Sequence, residues 1–137
     1  MQTNNSQFLR NVLRFDALTC LLSGAASIGL GSVLAGPLGL SSALLRGSGA
    51  ALLLVAAFIM FAAKNTPALR WPVWVVVLGN AAWALDSVLL LISDFQQPTL
   101  LGTSYVITQA VAVAVLAELE YVGLRKTAPT AAAAISG

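Results

Sequence analysis

Val73 to Ile92 reads VWVVVLGNAAWALDSVLLLI, an apolar run as long as the roughly 20 residues a helix needs to cross the hydrocarbon core of a bilayer. One residue breaks the pattern. With the span centred in the bilayer and 1.5 Å of rise per residue, Asp86 lies about 6 Å to the outer side of the midplane. An ionisable side chain inside a span costs roughly 2.5 to 3.5 kcal/mol on insertion scales and calls for a partner, a cavity or a function.

The rest of the chain repeats the apolar pattern. Of its 137 residues 58% are hydrophobic and 9% charged, against about 25% charged in an ordinary soluble domain. Candidate spans lie at about 13–35, 43–63, 72–93 and 99–124. They use nearly the whole chain, leaving short loops, two tails and no soluble domain to carry a separate activity. Gly36-Pro37-Leu38-Gly39 ends the first span and Ser41 or Ser42 caps the second. Lys64-Asn65-Thr66-Pro67 stops the second, Pro72 opens the third, and Thr99 opens the fourth. Trp71, Trp74 and Tyr121 fall at interface depth, as aromatic belts do. The polar segment from Met1 to Gln7 is expected to lie at the cytoplasmic surface before a helix that starts near Phe8 or Asn11. The uncharged Ala, Thr and Pro tail, 127–137, is expected to be flexible. Turns this short force consecutive helices to be neighbours. The expected fold is all-α, a single domain over 1–137 forming a membrane-spanning up-down-up-down four-helix bundle.

Seven basic residues against five acidic give a formal charge of +2, but their distribution matters more than their sum. Arg10, Arg14, Lys64, Arg70, Arg125 and Lys126 fall on one side of the membrane and only Arg46 on the other. That bias places both termini in the cytoplasm, so the basic pI reports topology rather than nucleic-acid binding. Cys20 is the single cysteine and there is no histidine. The usual zinc and haem ligands are missing, and no metal or cofactor is expected.

Two polar groups stand out as candidate sites. At the inner rim, Asp16, Glu118 and Glu120 lie roughly 9 to 13 Å inward of the midplane. They are expected to pair there with Arg14 and Arg125, whose long stems snorkel. Glu118 and Glu120 are two residues apart, about 200° around a helix, so they do not face one site. Asp16 begins a stripe through Cys20, Ser23, Ser27 and Gly31 that is expected to face inward as a close-packing surface. Gly24 and Gly29 lie beside it as a candidate self-association face. Deeper in the membrane, Asp86 has Trp83 on its own face, Asn80 on the neighbouring face, and Gln109 at a similar depth on the fourth helix. Arg46, about 10 Å to the outer side, is expected to bend inward and form an ion pair with Asp86.

The runs Gly79-Asn80-Ala81-Ala82-Trp83, Ser87-Val88-Leu89-Leu90-Leu91, Thr99-Leu100-Leu101-Gly102, Gln109-Ala110-Val111-Ala112-Val113 and Gly123-Leu124-Arg125, with Leu40 to Arg46, resemble a functionally uncharacterised type of small four-helix bacterial inner-membrane protein. In size the chain is also similar to the DoxX-like four-helix proteins. The resemblance implies a multi-pass protein of the cell inner membrane and no particular activity. The leading expectation is a non-enzymatic membrane protein, either self-associating or an accessory subunit of a larger membrane complex, with the lipid bilayer as its solvent. The alternative is a small proton-coupled or cation-linked carrier built on Asp86, with Trp83 as an aromatic wall. A cavity reaching Asp86 distinguishes the second from the first.

Overall fold

The computed structural model describes residues 2–127. Four helices carry it: α1 (Gln2–Leu38), α2 (Ser42–Lys64), α3 (Trp71–Ile92) and α4 (Leu100–Lys126). The described residues contain no strand. All four helices are long and apolar enough to cross a membrane. The expected flexible tail, apart from Thr127, lies outside the described residues.

The caps follow the local chemistry. Gly39 takes φ +66, a conformation a side chain disfavours. Its N–H donates to the Gly36 carbonyl at 3.1 Å while that of Leu40 donates to Ala35 at 3.2 Å. This pair of bonds is a Schellman stop, and it satisfies carbonyls left open at the end of α1. The Ser41 hydroxyl then accepts from the Leu44 N–H at 3.1 Å and starts α2. Thr99 does the same for α4, accepting from Gly102 at 3.1 Å.

α1 starts at Gln2, well before the expected Phe8 or Asn11, and the reason is tertiary. Asn5 donates to the Lys126 carbonyl at 3.2 Å. Leu9, only 1% exposed, lies against Gly123, where a Cβ would sit 3.1 Å from Leu9 Cδ1. The first described turns are thus helical and docked on the end of α4. At 1.5 Å per residue, the 37 residues of α1 extend about 55 Å.

Each helix packs backbone-close on the next around a ring, α1 to α2 to α3 to α4 and back to α1, while the backbones of the diagonal pairs stay apart and meet only through side chains. Side chains tie the ends together. Arg10 Nε donates to the Thr66 carbonyl at 2.9 Å, and Arg70 Nη2 to that of Leu124 at 3.0 Å. At the opposite end Gln96 accepts from the Ser41 N–H at 2.8 Å, and Thr99 N–H donates to the Leu38 carbonyl at 3.0 Å. The aromatic residues named as a belt gather at the first of these ends. Trp74 meets Tyr121 edge-on with ring centroids 5.8 Å apart, and Trp71 lies 6.2 Å from both Phe58 and Phe61.

Lipid gives helices little hydrophobic reason to associate, so backbones approach where side chains are small. Gly24 of α1 and Gly49 of α2 mark that approach. A Cβ on either would come within 2.8 Å of the other's carbonyl oxygen. Gly24 is therefore used inside the chain, whereas a Cβ on Gly29 would meet nothing within 4 Å. A second close contact joins α1 to α4, since a Cβ on Gly102 would collide with the Leu38 carbonyl oxygen. Gly49→Ala is expected to lower stability in detergent by about 1–3 kcal/mol through overpacking, and Gly29→Ala to leave it unchanged. Thermal unfolding of the two variants side by side checks this.

Candidate functional site

Asp16 of α1, Asn80 of α3 and Glu120 of α4 meet in the interior. Both acids are 0% exposed and Asn80 is 6% exposed. The single Asn80 Nδ2 donates to Asp16 Oδ2 at 2.7 Å and to Glu120 Oε2 at 3.1 Å. Cys20, one turn beyond Asp16, donates from Sγ to Asp16 Oδ1 at 3.6 Å. Asp16 and Glu120 are also within hydrogen-bond reach of each other. Glu120 Oε1 has no partner among the donors around it. One turn along the three helices lie Leu13, Val76, Val77, Leu116 and Leu124, all buried.

No basic side chain answers these two acids. Arg14 and Arg125 are exposed, and Arg125 donates to the Tyr121 hydroxyl at 3.2 Å with its guanidinium 5.8 Å from that ring's centroid. Arg10 donates to the Thr66 carbonyl and Arg70 to the Leu124 carbonyl and the Thr127 hydroxyl, and the Lys126 ammonium sits 5.7 Å from the Phe8 ring centroid. The expected inner-rim pairing is therefore corrected. Arg14 precedes Asp16 by two residues, and Glu118 precedes Glu120 by two, so each lies about 200° around its helix from the buried acid. Glu118 is exposed, as its phase requires.

The expected cluster around Asp86 divides. Asn80 belongs to the site just described. Trp83, Asp86 and Gln109 come together on a cavity of about 280 Å³ between α2, α3 and α4, which Ser48, Ser87 and Tyr105 also line. Arg46 does not join them. Its Nη2 donates to Ser32 Oγ at 2.5 Å, and its stem lies over Gly31, where a Cβ would be 3.0 Å from Arg46 Cγ. The ion pair expected between Arg46 and Asp86 is not formed, because the glycine on α1 opens a path for the arginine away from α3.

A larger cavity lies beside the smaller one and shares Tyr105 and Gln109 with it. α1 and α4 touch near Leu9 and Gly123 and again near Leu38 and Gly102. Between those contacts they part, leaving a groove of about 920 Å³ bordered by Phe15, Thr19, Cys20, Tyr105, Gln109 and Leu116, among others. Cys20 links this groove to Asp16, and Tyr105 and Gln109 line both cavities.

No family model, curated protein or solved structure matches this chain. The activity must be argued from the site itself. Cys20 was read from the sequence as a small apolar residue, and Tyr105 was not singled out. The four-residue step from Asp16 to Cys20 is the signal that places the thiol above the carboxylate.

The chemistry of the three polar residues is narrow. Ionised carboxylates only accept hydrogen bonds, and the amide nitrogen of Asn80 supplies donors to both. Loss of that donor leaves buried acceptors unsatisfied, which costs about 1–3 kcal/mol. Asn80→Ala is expected to destabilise the protein by that order. Glu120→Gln is expected to cost much less in the Asn80→Ala background than alone, since contacting residues are not additive. A double-mutant cycle on thermal unfolding in detergent checks both expectations.

Proposed function

We propose that the chain is a multi-pass protein of the bacterial inner membrane that works as a small proton-coupled carrier, its proton held by Asp16 and Glu120. Its helices run alternately up and down with both termini in the cytoplasm. The end contacts between α1 and α4 and between Arg10 and Thr66 support that topology, as does the clustering of six of the seven basic residues toward one side.

The observation that carries the reading is two fully buried carboxylates bridged by one amide with no basic residue beside them. Two like charges in an apolar interior are unfavourable unless something offsets them. A single proton between the acids converts a repelling pair into a donor and an acceptor. It leaves one negative charge, steadied by Asn80 and Cys20. Asn80 presents its N–H₂ to both acids, an arrangement suited to a proton, whereas a metal cation would call for its oxygen. The described residues contain no cluster of three metal-ligating side chains. Exchange of the proton requires a route, and Cys20, which lines the groove between α1 and α4, is in contact with Asp16.

The self-associating reading has one observation in its favour. Ser23, Thr108 and Gln109 face the same groove, where a second copy lying along α1 and α4 would cover them. A pair of copies is compatible with carriage and leaves the proton site within each chain.

Reconstituted into liposomes with potassium and valinomycin to fix the voltage, the protein is expected to dissipate an imposed pH gradient. A trapped pH dye reads the flux. Glu120→Gln and Asp16→Asn are expected to reduce it at least tenfold, and a wild-type rate equal to that of empty liposomes overturns the proposal.

A further inference from the structure

The geometry points to a second site, in the cavity of about 280 Å³ that holds Asp86, as a binding pocket for a small organic ammonium ion. Four features of the cavity converge on that ligand. Asp86 makes no hydrogen bond or ion pair with any described residue, so its carboxylate is free to take a charged donor. The nearest candidate competitor, Arg46, is engaged with Ser32 on α1. Trp83 and Tyr105 border the cavity from α3 and α4, and aromatic faces attract cations through the ring quadrupole. Gln109 of α4 and Ser48 of α2 add polar atoms.

Other ligand classes fit less well. An anion would meet Asp86 with no basic side chain to balance it. A neutral apolar molecule would offer the carboxylate no donor. A divalent metal needs more oxygen ligands than one carboxylate and one amide supply. An ammonium group carries only donors, and the carboxylate, amide and hydroxyl groups here all accept. The volume sets the size. Pockets for drug-sized molecules run from about 300 to 1,000 Å³, so this cavity admits an amine with one small apolar group and no more.

The position of the pocket gives it a further meaning. Tyr105 and Gln109 line both it and the groove that Cys20 lines beside Asp16. The amine site rests on the carrier reading for its role in transport but not for its existence. Binding at Asp86 is a property of the pocket alone.

Benzylammonium and tetramethylammonium are the probes, measured by isothermal titration against the full chain in detergent at neutral pH. Saturable binding of at least one is expected. Benzyl alcohol, with the same ring and no charge, is expected to bind at least tenfold more weakly than benzylammonium. Asp86→Asn is expected to lose at least tenfold in affinity for the cation, and Asp86→Glu to retain most of it. Trp83→Leu is expected to weaken tetramethylammonium binding severalfold while leaving thermal unfolding close to wild type. Absence of saturable binding by either probe overturns the inference, as does equal affinity in a folded Asp86→Asn variant. Amine binding without proton flux in the wild-type protein overturns the carrier reading and leaves the pocket. Proton flux without amine binding does the reverse.

Discussion

Two carboxylates share one amide in a place where water does not help them. Asn80 on α3 reaches both Asp16 on α1 and Glu120 on α4, so three of the four helices are tied at a single nitrogen. That junction fixes which faces of those helices point inward. Once Asp16 is turned to the interior, Cys20 follows it one turn later, and Arg14 is carried outward. With Glu120 inside, Glu118 is outside. The polar junction and the apolar packing around it therefore specify the same rotation of each helix, the agreement across levels expected of a sequence that encodes one structure.

Much of the architecture was legible because hydropathy and turn chemistry act locally. Pro72, Ser41, Thr99 and Gly39 mark helix ends through the backbone groups they satisfy or free, and those ends lie where they were expected. The start of α1 was not legible. Nothing in the composition of its first seven residues reveals the Lys126 carbonyl that receives Asn5 or the glycine that receives Leu9. That the chain forms four helices long and apolar enough to cross a membrane was plain from its sequence, whereas the docking of its first turns belongs to the tertiary structure.

The site was legible in its parts and not in its assembly. Helical phase shows which residues share a face, and it separated Glu118 from Glu120 correctly. It does not show which faces meet across helices. Depth estimates that centre every span at one level set Asn80 apart from Asp16 and Glu120, but the three touch. The same limit applied to Arg46, whose depth suited Asp86. Its path was decided by Gly31, a neighbour on another helix with no side chain to obstruct it.

The two places where α1 meets α4, near Gly123 at one end and Gly102 at the other, close the groove at its two ends, while between them α1 stays packed on α2 through Gly24 and Gly49. Leu52 of α2 lines the groove beside Cys20 and gives it a floor. A slot closed at both ends and floored by a neighbouring helix is open on one side only. Whatever reaches Cys20 through it therefore arrives laterally, between α1 and α4, and not along the axis of the bundle.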